Sequence, residues 1–252
     1  MEILITNDDS ISAEGINFLI NFMKPYGNIT VVAPKDPQSG KAASLTIMKH
    51  MYLEKMSEEK GVKIYSFNGT PVDCVKLAMN SFFKKKKPDL LISGINHGHN
   101  TSAAAFYSGT LGAAIEGCLY NIPSVGFSID DHHKNIDFSA IEKYGRKVIE
   151  MIIKNGIAQG SYLNINFPSL PANQILGYKF GHLGKGRWIN EFEEKSDDHG
   201  KNYWWMTGEF ENLEPENPKS DINIINSGYI SIVVHKLDNT NYDELSRLKK
   251  AF

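Results

Sequence analysis

Short apolar runs alternate with segments of helical apolar spacing over the first two thirds of the 252-residue chain. The runs typical of short buried strands lie at residues 3–6, 29–33, 90–93, 124–128 and 162–166. The segments with helical spacing lie at residues 13–23, 71–83, 110–120 and 138–154. Strands that alternate with helices in this way form βαβ units. We therefore expect an α/β fold built on a mainly parallel sheet.

The rest of the chain departs from this alternation in two places. Residues 45–53 and 62–67 are predicted to pair as a β-hairpin whose tip is the charged stretch 54–61. After residue 170 the chain contains aromatic residues, short β-like runs and long polar connections. We divide the chain into an α/β core over residues 1–170 and a β-rich C-terminal subdomain over residues 171–252. The subdomain is expected to end in a helix, to contribute hairpins to subunit contacts, and not to form an independent domain.

Charge, hydropathy and cysteine content exclude several classes of protein. The net charge is −2 at pH 7, so no overall basic field indicates a nucleic-acid partner. No apolar stretch is long enough to span a bilayer. Cys74 and Cys118 lie in apolar helical patterns without C-x-x-C spacing, which favours buried free thiols over a disulfide. We expect a cytoplasmic protein without a stable nucleic-acid or membrane partner.

The first predicted strand ends on Asn7, Asp8 and Asp9. In an open α/β sheet, ligands bind in the crevice beyond the carboxyl ends of the strands. Two neighbouring carboxylates in such a place repel each other, and a bound cation allows both to stay ionised. The alternative is that Asp8 or Asp9 caps the helix that follows, because Asp is a good N-cap residue.

Three more segments rich in oxygen donors follow a strand or precede a helix, at residues 37–44, 93–100 and 107–110. Their hydroxyl and amide oxygens, with the two carboxylates, are hard donors that suit Mg²⁺ or Mn²⁺ better than zinc or copper. Ser108, Gly109 and Thr110 precede a predicted helix, whose free backbone N–H groups can bind a phosphate. A cation beside a phosphate site suggests hydrolysis of a phosphoester.

Six segments of the chain carry motifs that follow one another in a characteristic order. They lie at residues 1–10, 31–46, 68–78, 88–110, 122–124 and 163–168, and they include N-G-T-P-V-D-C and I-S-G-I-N. In this order the motifs resemble those of the survival protein SurE family of 5′/3′-nucleotidases. The resemblance is strong over residues 1–170 and thinner afterwards.

The resemblance implies a Rossmann-like fold and specific roles for residues of this chain. One divalent cation per subunit, Mg²⁺ or Mn²⁺, would be bound by Asp8, Asp9, Ser39 and Asn96. The phosphate of the substrate would be bound by Asn7, Ser108, Gly109 and Thr110. Catalysis would depend on Asp8 and Asp9, and the sequence does not decide which of them acts as base or nucleophile.

The resemblance also implies a substrate and an assembly. Members of the family hydrolyse nucleoside monophosphates, so a nucleoside 5′-monophosphate is the expected substrate, with 3′-monophosphates and short-chain polyphosphate as further candidates. A homodimer or homotetramer is expected, in part through exchanged C-terminal elements. Where many members read G-P-N-x-G-x-D, residues 99–105 of this chain read H-N-T-S-A-A-A. The chain lacks the aspartate and a glycine of that pattern, which leaves its nucleotide preference open.

Other residues with reactive or binding side chains have plainer explanations beside the functional ones. His97 and His99 lie in the predicted site loop, where a histidine can donate a proton or simply face solvent. Asp73 fits the first turn of a helix, where its charge favours the helix dipole. His132 is expected in a polar loop between a strand and a helix. The residues expected to pack within the β-rich region, rather than to stack on a base, are Trp188, Trp204 and Trp205.

Two other functions are compatible with parts of this pattern. A metal-dependent hydrolase of a different bond would require a site rich in imidazole, whereas the donors here are nearly all oxygen. A non-catalytic nucleotide sensor on the same fold would bind nucleotide and release no phosphate. The absence of G-x-G-x-x-G and of a Walker A sequence removes the commonest dinucleotide and triphosphate sites.

Overall fold

The computed structural model describes residues 1–133 and 135–251, which form thirteen strands and six helices. The strands are, in chain order, β1 (Glu2–Thr6), β2 (Asn28–Pro34), β3 (Leu53–Glu59), β4 (Val62–Phe67), β5 (Leu90–His97), β6 (Ser124–Ile129) and β7 (Ser161–Phe167). They continue as β8 (Tyr178–Gly181), β9 (Gly186–Ile189), β10 (Phe192–Ser196), β11 (Asn202–Met206), β12 (Glu209–Asn212) and β13 (Ile230–Lys236). The helices are α1 (Glu14–Met23), α2 (Pro71–Ser81), α3 (Gly109–Leu119), α4 (Arg146–Asn155), α5 (Asp221–Asn226) and α6 (Tyr242–Lys249).

Nine of these strands form one sheet in the order β3-β4-β2-β1-β5-β6-β7-β13-β8. All the pairings from β4 through β7 in this order are parallel. The outer strands β3 and β13 pair antiparallel with β4 and β7, and β8 lies parallel to β13. The predicted α/β fold with a mainly parallel sheet is confirmed. Two of the nine strands come from the β-rich segment 171–252.

The central strand β1 is covered on both faces of the sheet. Ile3 and Ile5 pack in one hydrophobic cluster with residues of α1 and α4. Leu4 packs in a second cluster with residues of α2 and α3. A run that is apolar at every position is typical of a parallel strand between two layers of helices. This continuous burial is the reason why the strand could be recognised in the sequence.

The start of α2 explains the N-G-T-P-V-D-C segment. The Thr70 hydroxyl accepts a hydrogen bond from the Asp73 N–H, and the Asp73 carboxylate accepts one from the Thr70 N–H. The Asp73 carboxylate also accepts from the backbone N–H of Thr46, 27 residues upstream. The structural interpretation of Asp73 is therefore confirmed, because its oxygens are engaged by backbone N–H groups in a capping box. Cys74 and Cys118 are buried free thiols, as predicted.

The predicted hairpin exists, but the bounds predicted for its first strand were wrong. β3 spans Leu53–Glu59, within the stretch that was predicted as the tip, and the turn lies at Lys60 and Gly61. Residues 45–52 form no strand, and Ile47 and Met48 in this segment are largely exposed. β3 is an edge strand whose side chains are nearly all exposed, so its sequence carries no apolar pattern by which it could be found.

The remaining strands lie outside the main sheet. They form two antiparallel pairs, β9 with β12 and β10 with β11. Every residue of β10 and β11 is exposed, including Trp204 and Trp205. No helix in the described ranges is long and apolar enough to cross a membrane.

Candidate active site at the carboxyl edge of the sheet

Asp8 and Asp9 follow β1 after Asn7, at the carboxyl edge of the sheet, where β1 lies between β2 and β5. The backbone carbonyl of Asp8 accepts a hydrogen bond from the N–H of Gln38 over 2.7 Å. This bond brings the loop after β2, which carries Ser39, next to the aspartate pair. The neighbouring strand β5 ends in Asn96 and His97, on the other side of β1. Three segments distant in sequence therefore meet at one place.

The amino end of α3 packs directly on Asp8. The Thr110 hydroxyl donates to Oδ1 of Asp8 over 2.5 Å. A Cβ atom on Gly109 would lie 2.8 Å from the Asp8 Cβ and 2.9 Å from its Oδ2. Asp8 is 4% exposed. The glycine is therefore required for the close approach of the helix end to the carboxylate.

The surroundings of the two carboxylates disfavour their charged forms. Burial, and then the charge of Asp9, raise the pKa of Asp8 to about 7, although the bond from Thr110 opposes the shift. Burial also raises the pKa of Asp9, against the hydrogen bond that its Oδ2 accepts from the His97 N–H over 3.1 Å. Two adjacent carboxyl groups held in this way are stabilised as anions by a nearby cation.

Asn96 is oriented by its amide nitrogen. Nδ2 donates to the carbonyl oxygen of Gly98 over 2.6 Å and lies 3.4 Å from that of His97. The carbonyl end, Oδ1, is then the part of this side chain that remains for a ligand. Together with Ser39 and the aspartate pair, Asn96 makes a set of oxygen donors, which fits Mg²⁺ or Mn²⁺. This set contains only two carboxylates. Within the described ranges, no cluster made of three or more His, Cys, Asp or Glu side chains alone is arranged to hold a metal ion.

A cavity of about 360 Å³ lies over this edge of the sheet. Four of the predicted site residues line it, namely Asp8, Ser39, Asn96 and Ser108. The other lining residues are Gly40, His97, Asn100, Ala104, Tyr107, His132 and Trp188. The volume is within the range of small-molecule sites.

The remaining predicted site residues do not line the cavity, and two of them are hydrogen-bonded to residues that do. Asp9 is bonded to the backbone of His97, and Thr110 to Asp8. Asn7 is fully buried and donates from Nδ2 to the carbonyl of Ser10 over 2.7 Å. Its Oδ1 is buried and has no hydrogen-bond partner among the described residues. Asn7 therefore lies close to the site, but it does not line the cavity.

Asn100 is a residue of the cavity wall that the sequence did not single out. Its Nδ2 donates to the Ser128 hydroxyl, its N–H donates to Oδ1 of Asn166, and its carbonyl accepts from Nδ2 of Asn164. These partners are buried polar residues at the carboxyl ends of β6 and β7. Polar residues within otherwise apolar strands were the signal that could have identified this network.

His132 and Trp188 lie where the sequence predicted them, and both also line the cavity. His132 does lie in a loop after β6, but it also lines the cavity and packs on Gly98, where an added Cβ would be 2.3 Å from its Cε1. Trp188 does pack within the β-rich region, with its ring 5.7 Å from that of Phe210, yet it also lines the cavity. The substituted segment 99–105 leads into a 3₁₀ turn, Ser102–Tyr107, that forms another part of the wall.

Comparisons with known proteins agree with this geometry. The family model described as survival protein SurE matches residues 3–190. The chain is 41% identical to a 5′-nucleotidase SurE of Bacteroides fragilis, over 98% of this chain and 96% of the relative. A 5′-nucleotidase SurE of Cytophaga hutchinsonii is 40% identical over 98% of this chain and 95% of its own length. The crystal structure of a SurE protein from Aquifex aeolicus superposes with a TM-score of 0.85 at 33% identity, covering 100% of this chain and 99% of that one.

Proposed function

The chain belongs to the SurE family of survival proteins, and we propose that it is a metal-dependent 5′-nucleotidase. The reaction would convert nucleoside 5′-monophosphates to nucleoside and phosphate. The observation that carries the proposal is the contact between the buried Asp8, which Asp9 follows, and the amino end of α3. This contact places a set of oxygen donors suited to a cation directly beside a helix end suited to an anion.

The residues that would hold the cation are Asp8, Asp9, Ser39 and Asn96. When bound there, a divalent ion supplies positive charge for the phosphate oxygens and promotes the ionisation of water at neutral pH. Burial raises the pKa of both carboxyl groups, and the charge of Asp9 adds to the rise in the pKa of Asp8. The donor chemistry therefore fits the ion that the family implies.

The phosphate would bind at the first turn of α3. Ser108 caps this helix, because its hydroxyl accepts from the Leu111 N–H and its carbonyl from the Gly112 N–H. The N–H groups of Gly109 and Thr110 have no acceptor within the helix, as at any helix start. We propose that they donate to phosphate oxygens, whose negative charge grows or shifts in the transition state. The Thr110 N–H also faces the Asp8 carboxylate and lowers the pKa of Asp8.

His132 is the proton donor proposed for the departing nucleoside oxygen; Nε2 of His97 is buried beside Gly15 of α1. Both histidines line the cavity together with Asp8. An imidazole within reach of the leaving oxygen lowers the barrier by transferring a proton as the P–O bond breaks. The two carboxylates are the candidates for accepting the proton of the attacking water.

Phosphate release from a panel of 5′- and 3′-nucleoside monophosphates and short polyphosphate tests the proposal. The assay compares EDTA, Mg²⁺ and Mn²⁺ in the wild type, in Asp9→Asn, and in Asp36→Asn as an exposed control from the loop after β2. We expect cation-dependent release that is lost in Asp9→Asn and kept in Asp36→Asn. Binding of nucleotide with no release from any compound would support the sensor instead.

We also propose a homodimer or homotetramer. The exposed hairpin β10–β11 carries Trp204, Trp205 and Met206, each more than half exposed in the single chain. Exposed aromatic surface of this kind is typical of protein contacts. Light scattering of the wild type and of a Trp204→Ser, Trp205→Ser double variant tests this, since a smaller assembly is expected for the variant.

A further inference from the structure

The cavity has an apolar part beside its polar groups. The side chains of Ala104, Tyr107 and Trp188 contribute to its wall. Tyr107 is 59% exposed and Trp188 36% exposed, although both rings are large and mostly apolar. The cation and phosphate groups proposed above do not require these rings. Their place in the wall therefore needs another explanation.

Trp188 is held in a defined position. It lies on β9 opposite Phe210 of β12, and the two rings meet edge to face at 72°. By contrast, Trp204 and Trp205 lie on the separate exposed hairpin β10–β11, and neither lines the cavity. Of the three tryptophans in the chain, Trp188 is therefore the one that lines the cavity.

Tyr107 lies next to the start of α3, where the phosphate is proposed to bind. It is the last residue of the Ser102–Tyr107 turn and directly precedes Ser108, the N-cap of α3. Its carbonyl accepts a hydrogen bond from the Ala42 N–H over 3.1 Å, which fixes its backbone against the loop that carries Ser39. Its ring consequently begins one residue from the groups that would bind phosphate.

One buried carboxylate joins the two segments that bear these rings. Asp221 is fully buried and accepts hydrogen bonds from the N–H of Ser102, at 3.1 and 3.2 Å, and from that of Gly184, at 2.9 Å. The Ser102 hydroxyl also donates to the Gly184 carbonyl over 2.8 Å. Ser102 begins the turn that ends in Tyr107, and Gly184 shortly precedes β9. The spacing of the two aromatic segments is therefore built into the fold, which reduces the entropy cost of binding a ligand between or upon them.

We propose that Trp188 and Tyr107 form a stacking platform for the base of a nucleotide whose phosphate occupies the first turn of α3. This inference rests on the proposed function and adds the part of the substrate that is recognised. Aromatic rings stack on any base, and the gain from one such contact corresponds to about tenfold to a hundredfold in affinity. The platform would favour nucleotides over sugar phosphates and polyphosphate, which present no π-face.

The test compares AMP with ribose 5-phosphate, which carries the same phosphoribosyl group without a base. The specificity constant kcat/KM and the dissociation constant from calorimetry are measured for the wild type, Trp188→Leu, Trp188→Phe and Tyr107→Leu. Phe82→Leu is the matched control, because Phe82 is 37% exposed and lies just after α2, outside the cavity.

We expect Trp188→Leu to lower kcat/KM for AMP about tenfold or more through KM, with little change for ribose 5-phosphate. Trp188→Phe and Phe82→Leu should keep the wild-type preference. An equal loss for both compounds, or no loss for either, would overturn the platform. If the variants hydrolyse both compounds and the ratio of their kcat/KM values stays at the wild-type value, the platform is refuted and the nucleotidase proposal stands. If AMP binds in a Trp188-dependent way but is not hydrolysed, the nucleotidase proposal is refuted and the platform stands.

Discussion

The Thr110 hydroxyl donates to Oδ1 of Asp8 over 2.5 Å and thereby joins the second residue of α3 to the second residue after β1. The two residues are 102 positions apart in the chain. Because the bond ends on a carboxylate buried at the carboxyl edge of the sheet, it fixes the helix end relative to the aspartate pair. It also opposes the rise in the pKa of Asp8 that burial causes.

Replacing Thr110 with Val is expected to impair both stability and catalysis. The change keeps the shape of the side chain but leaves a buried carboxylate oxygen without its donor, at a cost of about 1–3 kcal/mol in the free energy of unfolding. If a similar free energy is lost from the stabilisation of the transition state, kcat/KM for AMP should fall at least about tenfold. Thr110→Ser is the control, since it retains the hydroxyl. Equal behaviour of the Val and Ser variants in urea unfolding and in phosphate release would contradict this role.

Gly109→Ala is expected to reduce activity although alanine is the better helix residue. The added Cβ would lie within 3 Å of two atoms of the Asp8 side chain, Cβ at 2.8 Å and Oδ2 at 2.9 Å. The carboxylate or the helix end must then shift, and a displacement of this size at a catalytic group costs about a hundredfold in rate. Steady-state kinetics, with circular dichroism to confirm an intact fold, provide the measurement. A fully active variant would show that the close approach has no catalytic importance.

The cation-free protein is expected to lose stability as the pH rises. An acid whose pKa is higher in the folded than in the unfolded protein binds protons more tightly when folded, so stability falls between the two values. For Asp8 this window extends from 3.8 to about 7. In EDTA the free energy of unfolding should decrease by up to about 1.4 kcal/mol per pH unit in this range.

Two comparisons isolate the contribution of Asp8 to that pH dependence. Asp8→Asn should flatten the slope, since the variant has no carboxyl group to titrate at this position. Excess Mg²⁺ or Mn²⁺ should raise the melting temperature of the wild type more at pH 7.5 than at pH 5, because cation and proton compete for the same oxygens. A slope that is the same in the wild type and in Asp8→Asn would refute the assignment.

His132→Gln is expected to slow the reaction without weakening binding. If His132 donates a proton to the leaving oxygen, its loss should lower kcat about a hundredfold and leave KM nearly unchanged. His133 offers an adjacent control, because its side chain is 90% exposed and pairs with Asp131. His133→Gln should behave like the wild type. A compound with a better leaving group, such as p-nitrophenyl phosphate, should be hydrolysed by both variants at similar rates.

Asp221→Asn is expected to act on substrate binding through the segments that Asp221 joins. Oδ1 accepts from the Gly184 N–H and Oδ2 from the Ser102 N–H, so an asparagine that keeps the first bond would turn an NH2 donor toward the Ser102 N–H. We expect KM for AMP to rise several-fold, on the order of the 1 kcal/mol of one hydrogen bond. The KM for ribose 5-phosphate should change less. Equal increases for the two compounds would mean that Asp221 supports the fold in general and not the aromatic platform.

Buried strands and the two carboxylates at the end of β1 could be predicted from the sequence because each depends on local patterns. Ile3, Leu4 and Ile5 are apolar without interruption, since helices cover both faces of the strand. The exposed edge strand β3 has no such pattern, and its position was predicted incorrectly for that reason. The capping box of Thr70 and Asp73 was likewise detectable, because its partners are three residues apart.

The sequence by itself determined the type of fold and the chemical nature of the site, since apolar periodicity and oxygen-rich strand ends are properties of short segments. Only the tertiary structure decided which distant residues share the cavity. His132 and Trp188 enter it from a loop after β6 and from β9, and no local pattern distinguishes them from His133 or Trp204. The physical reason is that a contact between distant segments depends on how the sheet and its connections pack, and this is set by the whole chain rather than by any one segment of it.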